Sequence, residues 1–246
     1  MTEIQAPYGS AFSFYEHALV LAAKAHRDQV RKGTDIPYVT HPVHVAHILA
    51  LAGFDADLVN AGLLHDVIED AGVSYAEIAE TCGFRVADLV ASVTEEKTRD
   101  GAKIPWEQRK AAKLRRLEEG SRDTAALAAA DALHNAHALV SDVARLGDTV
   151  WSRFNAPRDR IVWYYGEVLR LVRATLGDEP LVGDLEGAVR VLEAAAARTD
   201  RSENELGGLT TSTPSPRTQP HARRLTPEEG QRSPRRRERR LRRNLP

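Results

Sequence analysis

The stretch Leu63–Asp70, LLHDVIED, places a histidine and three carboxylates within an otherwise apolar segment. Charges so placed are expensive unless something compensates them. On a continuous helix His65 stands one turn before Glu69, and Asp66 one turn before Asp70. His65 and Asp66 are then about 100° apart around the axis, close enough for both to reach one ion between them. A second segment, RKGTDIPYVTHP from Arg31 to Pro42, ends in His41, whose backbone the following proline restricts. A third, LAAADALHN from Leu127 to Asn135, interrupts an alanine-rich run with Asp131, which must either escape to solvent or meet a cation. Asn135, one turn later, shares its face. Two histidines and two carboxylates from three helices form a mixed nitrogen and oxygen set suited to Mn²⁺, Fe²⁺ or Zn²⁺. Four protein ligands on a metal that prefers six leave room for water and substrate, the arrangement of a catalytic rather than a sealed site.

The elements that must position these residues read as helices throughout. Apolar positions recur at three- and four-residue spacings, and no convincing alternating strand pattern appears. Helices are expected near 11–29, 42–52, 56–71, 75–82, 84–95, 105–119, 123–146, 157–176 and 181–198, an all-α bundle of about eight to nine. Their starts carry recognisable signals: Thr40-His41-Pro42, Asp55, the capping-box spacing Ser74–Glu77, and Asn155 before Pro157. The series His41, His44, His47 has metal-like spacing, but no acids lie near it. His134 and His137 read as packing or surface residues, and His26 as a structural histidine beside the site. The charged loop before Pro105-Trp106 is placed to fold over a ligand, whereas Trp151, Trp163, Tyr164 and Tyr165 read as staples for the last helices. Cys82 is the single cysteine, which excludes an internal disulfide and a cysteine-rich metal site.

With 246 residues and 42 % hydrophobic content, the chain supports one sizeable domain, drawn at 1–200, and a tail at 201–246. The tail holds six of the twelve prolines and twelve arginines against five glutamates, so a formal net charge of −1 conceals an acidic domain and a basic extension. That composition predicts disorder, and any contact with nucleic acid would run through this tail. No apolar run of about twenty residues and no secretory leader occur, which points to a soluble cytoplasmic protein with no membrane partner. Composition leaves the oligomeric state open.

The order His41, His65-Asp66, Asp131 resembles the HD superfamily of metal-dependent phosphohydrolases. The words HRDQVRKGTDIPYVTHPVHVAHIL, AGLLHDVIEDAGVSYAEI, VADLVASVTEEK and AAADALHNAHAL are similar to the (p)ppGpp hydrolase domain of the RelA/SpoT homologues, over roughly residues 12–195. Without room for a synthetase domain, the chain resembles the stand-alone small alarmone hydrolases. The resemblance implies one Mn²⁺ held by His41, His65, Asp66 and Asp131, and hydrolysis of ppGpp or pppGpp at the 3′ position to pyrophosphate and GDP or GTP, which would relieve the stringent response. It places Glu69 and Asp70 on the attacking water, and Arg31, Lys32 and Asn135 on the nucleotide. The family often carries a lysine and an arginine around the aspartate, in a KLADRLHN-like word. Here those places are Ala128 and Ala132, and a following arginine is His137. These departures admit an HD phosphohydrolase for another nucleotide. A third reading is a non-catalytic nucleotide sensor whose tail binds nucleic acid.

Overall fold

The protein is described by a computed structural model over residues 10–207, with side chains over 14–198. Ten α-helices form among the described residues: α1 (Ser10–Ala25), α2 (Thr40–Leu51), α3 (Ala56–Leu64), α4 (Val67–Ala71), α5 (Tyr75–Cys82), α6 (Phe84–Val93), α7 (Trp106–Glu119), α8 (Arg122–Leu146), α9 (Arg158–Leu176) and α10 (Pro180–Gly207). A 3-10 segment, Gly147–Arg153, links α8 to α9. The all-α expectation holds, and no helix among the described residues is long and apolar enough to cross a membrane. The boundary drawn at 200/201 falls inside α10. Most of the Pro/Arg-rich tail, from residue 208 on, lies outside the described residues.

Side-chain caps secure three of the helix starts. The Asp55 carboxylate accepts from the Leu58 amide at 3.0 Å, Ser74 Oγ from Glu77 at 3.1 Å, and Ser121 Oγ from Thr124 at 3.1 Å. Two features depart from the sequence reading. A small antiparallel hairpin, β1 (Thr98–Arg99) with β2 (Ala102–Lys103), turns at Asp100-Gly101, both at positive φ. Asp-Gly is a strong hairpin signal, but two-residue strands are too short to show alternation.

The second departure concerns the site. The helix expected over 56–71 is two helices, interrupted at His65-Asp66. His65 Nδ1–H donates to the Gly62 carbonyl at 2.9 Å, and Asp66 turns at φ −102°, ψ −6°. The His-Asp pair therefore sits at a bend with both side chains directed inward, instead of about 100° apart on one cylinder. The Asp70 amide still bonds the Asp66 carbonyl at 2.8 Å, so the acidic pair remains one turn beyond.

The core is aliphatic, with Leu49, Leu58, Leu63, Leu64, Ile78, Leu127, Leu185 and Leu192 fully buried. Helix α8 runs through it and packs on α2, α3, α6, α9 and α10. Its buried run Ala125–Ala130, broken only by Leu127, lets these neighbours approach closely. Helices α2 and α3 meet at Gly62, where a Cβ would stand 2.9 Å from Leu49 Cδ1 and 3.0 Å from the Ala46 backbone. That crossing sets His41 on α2 against His65 at the end of α3. Gly62→Ala is expected to lower the melting temperature, because overpacking at a backbone contact costs about 1–3 kcal/mol and outweighs the roughly 1 kcal/mol gain in helix propensity. Thermal denaturation checks this, and a higher melting temperature would refute it.

Candidate active site

Three chain segments deliver four donor atoms to one point. His41 Nε2 lies 3.1 Å from His65 Nε2, 3.4 Å from Asp66 Oδ2 and 3.3 Å from Asp131 Oδ1. His65 Nε2 is 3.0 Å from Asp66 Oδ2 and 3.7 Å from Asp131 Oδ1. The imidazoles are buried, at 1 % and 3 % exposure. Since His65 Nδ1 must carry the hydrogen given to Gly62, its Nε2 faces the cluster with a lone pair when neutral. Lone pairs and two carboxylates converging in a buried space demand a positive charge. Burial alone would lower the His65 pKa, yet Asp66 and Asp131 outweigh it and hold the ring at about 9. Asp66 and Asp131 resist the same burial because His65 and His41 at Asp66, and Lys113 ahead of the two imidazoles at Asp131, hold the carboxyls well below the usual range. The donor set of His41, His65 and Asp66, within 4.8 Å of one another, fits a divalent ion. Asp131 adds an oxygen on the α8 side.

The acidic pair lies just outside this cluster, under cationic cover. Glu69 Oε2 accepts from the Glu95 amide at 3.0 Å, and Glu69 Oε1 is 3.1 Å from Lys97 Nζ, which also bonds Asp70. Burial raises the Glu69 carboxyl above its ordinary value despite the nearby Lys113 and Lys97, a direction that suits a proton acceptor. Tyr38 donates to Asp66 Oδ2 at 2.7 Å and lies 3.3 Å from Asp70 Oδ2. Burial, with Asp66, keeps that phenol protonated.

The predicted nucleotide residues are also gathered here. Arg31 donates to Asn135 Oδ1 at 2.7 Å, and Asn135 Nδ2 donates to Asp131 Oδ1 at 2.6 Å. A backbone bridge between Val30 and Pro37 closes the Arg31 loop. Lys32 Nζ stands 5.6 Å from the Phe154 ring centroid. Two adjoining spaces result. An inner cavity of about 250 Å³ contains His41, Asp66, Glu69, Asp131, Lys110, Lys113 and Trp106. An outer hollow of about 530 Å³ is lined by Arg31, Lys32, His44 and Arg153. Tyr38, Asn135, Phe154 and Tyr165 border both.

Several residues were passed over or misread in the sequence. His134 is no surface residue: its Nδ1 lies 2.7 Å from His41 Nδ1, and its ring stacks on His44 at 4.8 Å. Burial, with His41 and Arg31, drops its pKa to about 3, so it is neutral. Tyr164 and Tyr165, read as staples, line the inner cavity, as does Trp106. Tyr38 stood three residues before His41, and Lys113 shares a stripe with Trp106, Lys110 and Leu117, spacings that carried the signal. His26 is buried and bonds Gln29 at 2.8 Å, as a structural histidine would.

The chain matches the HD domain family over residues 18–162. It belongs to that family. Among relatives of this HD domain, the guanosine-3′,5′-bis(diphosphate) 3′-pyrophosphohydrolase MESH1 of Danio rerio is 31 % identical over 134 residues, 53 % of this chain and 69 % of that protein. The guanosine-3′,5′-bis(diphosphate) 3′-pyrophosphohydrolase of Aquifex aeolicus is 45 % identical over 80 residues, 32 % of this chain and 11 % of that protein. The chain thus spans about a tenth of the long relatives it matches. A solved metazoan ortholog of SpoT, which hydrolyzes ppGpp, superposes with a TM-score of 0.61 at 28 % identity, covering 75 % of this chain and 97 % of that one.

Removing the imidazole behind His41 should loosen the centre without touching a donor atom. His134→Ala is expected to weaken divalent-metal binding by about 10- to 100-fold, measured by calorimetry, and an unchanged affinity would show that His134 does not orient His41. A second expectation concerns Glu95, only 4 % exposed, which accepts from Arg109 and, at 2.9 Å, from Lys110. Burial opposes its ionisation, but Lys110, Lys113 and Arg109 hold its carboxyl below the ordinary 4.5. A depressed folded pKa stabilises above the unfolded value and is lost as pH falls through the folded one. Glu95→Gln should therefore cost about 1–3 kcal/mol at pH 7, with the gap from wild type closing only below about pH 4.5. Denaturant titrations across that range test it, and a gap independent of pH would refute the assignment.

Proposed function

We propose that this HD domain hydrolyses (p)ppGpp at the 3′ position, as a Mn²⁺-dependent guanosine-3′,5′-bis(diphosphate) 3′-pyrophosphohydrolase. The observation that carries this reading is the convergence of His41, His65, Asp66 and Asp131 donor atoms beside a half-buried carboxyl, Glu69, with raised pKa. Similarity to relatives that carry this activity supports the substrate class. The four donor residues would hold the ion. When bound, a divalent ion supplies Lewis acidity, acidifying a water and polarising a phosphoryl oxygen.

The chain's own groups do the rest. Glu69 and Asp70 orient the attacking water and take its proton, a role worth about 10² to 10⁴ in rate. Water oxygen adds to the phosphorus carried by the ribose 3′ oxygen, the P–O3′ bond breaks, and the 3′ oxygen takes back the proton held by the acidic pair to leave as a hydroxyl. Pyrophosphate and GDP, or GTP from pppGpp, are the products. The inner cavity of about 250 Å³, which holds the donor cluster and Glu69, receives the pyrophosphate end. The nucleoside then occupies the outer hollow, where the Arg31 plane can stack on a purine, Lys32 acts as a point charge, and Asn135 hydrogen-bonds. Such an activity in the cytoplasm would lower alarmone levels and relieve the stringent response. The catalytic domain drawn at 1–200 is extended here to Gly207, the end of α10.

A second reading, an HD phosphohydrolase for a different nucleotide, draws on one observation: the cavity wall at Ala128 and Ala132 is uncharged. Incubating the protein with ppGpp and Mn²⁺ separates the two. Stoichiometric pyrophosphate release is expected, with Asp66→Ala and Glu69→Ala each reducing it by about 10² or more. Turnover of another nucleotide with none of ppGpp would establish the second reading, and wild-type rates in Glu69→Ala would remove Glu69 from the proton transfer.

A further inference from the structure

A departing pyrophosphate needs positive charge beside it, and α8 offers none at Ala128 or Ala132, both of which line the inner cavity. Basic residues reach toward that cavity from other segments, and most are already engaged. Lys97 is bound to Glu69 and Asp70. Arg109 and Lys110 are bound to Glu95, and Lys110 also lies 4.9 Å from the Tyr164 ring centroid.

Lys113 is different. Its side chain is 20 % exposed, and its hydrogen-bond partner among the described residues is Asp131 Oδ2 at 3.3 Å, long for a charged pair. An ammonium carries three donors, so two remain for the cavity that Lys113 lines. Leu114, Leu117, Ala128 and Ala132 beside it have no side-chain acceptor to give, and Glu69 and Asp66, which share the cavity wall, act on it through their charge while Asp131 takes the hydrogen bond. A largely desolvated cation with unused donors is costly to maintain, and an anionic group in the cavity would complete it. The position is also right. Asp131 turns Oδ1 toward His41 and His65 and Oδ2 toward Lys113, so a phosphoryl group within reach of the donor cluster is within reach of the ammonium.

We propose that Lys113 binds the pyrophosphate end of the substrate, supplying from α7 the fixed positive charge that α8 lacks beside Asp131. The assignment rests on the hydrolase reading above. It also makes the uncharged wall at Ala128 and Ala132 compatible with a polyanionic substrate, because the charge enters from the neighbouring helix.

The alternative is that Lys113 serves only as the counterion of Asp131, and the two roles move measurements in different directions. Calorimetric titration of inorganic pyrophosphate into Mn²⁺-loaded wild type, Lys113→Met and Lys113→Arg tests them, with Mn²⁺ affinity measured separately. Lys113→Met is expected to weaken pyrophosphate binding and raise KM for ppGpp, each by about tenfold or more. Mn²⁺ affinity should hold or tighten, since a like charge has left Asp131, and Lys113→Arg should recover part of the pyrophosphate affinity. Pyrophosphate binding within about twofold of wild type, with tighter Mn²⁺ binding, would overturn the proposal in favour of the counterion role. Should Lys113→Met fail to fold by circular dichroism, Lys113→Gln replaces it. Should both fail, protection of Lys113 from acetylation by pyrophosphate in the wild type, read by mass spectrometry, decides: protection supports the subsite and its absence refutes it. Because pyrophosphate binding is read without turnover, an inactive wild type would count against the hydrolase reading, and unchanged binding in the variants against the subsite.

Discussion

The structure turns on an electrostatic demand: two imidazole nitrogens 3.1 Å apart, with a carboxylate oxygen from each of two other positions within 3.0–3.7 Å of them, all largely out of water. Negative charge cannot be concentrated in this way without positive charge beside it, supplied by a protonated imidazole or by a metal ion in its place. Holding them there takes rigid elements on three sides. The Gly62 crossing brings α2 to α3, the bend at His65-Asp66 turns two consecutive side chains into one volume, and α8 supplies Asp131 from a helix whose alanines admit close neighbours.

Around that centre, charges alternate in shells. Lys97 covers Glu69 and Asp70, Lys113 bonds the outer oxygen of Asp131, and Glu95 gathers Arg109 and Lys110. Glu95 does two jobs: its carboxylate anchors the start of α7, while its backbone amide fixes Glu69. The segment between α6 and α7 is therefore bonded both to the start of α7 and to Glu69 of the acidic pair.

Small residues on α8 have two consequences. They let α2, α9 and α10 pack closely, and at Ala128 and Ala132 they leave room beneath α7 for a cavity. Charge absent from one helix can be delivered by its neighbour at the same place in space, since a ligand responds to the field at a point and not to the segment that produces it.

The all-α class, most helix limits to within a few residues, and the residues that the fold gathers around His41 were legible in the sequence. Helical periodicity, capping residues and charged side chains among apolar ones are local signals, and each carries its own free-energy cost or gain. His41, His65, Asp66 and Asp131 stood out because an aspartate or histidine in such settings has few explanations. The break between α3 and α4 was not legible, because the helical pattern runs on through His65-Asp66 and only the folded chain shows His65 bonded back to the Gly62 carbonyl with Asp66 turning the backbone. His134 and Lys113 look like ordinary helix residues along the chain. Their roles follow from which atoms face them, His41 across from one and Asp131 across from the other, and that pairing depends on how α8 meets α2 and α7. Residue type and spacing determined which groups are able to act. The crossing of the helices decided which of them share one low-dielectric space, where short distances and lost hydration turn separate charges into a site.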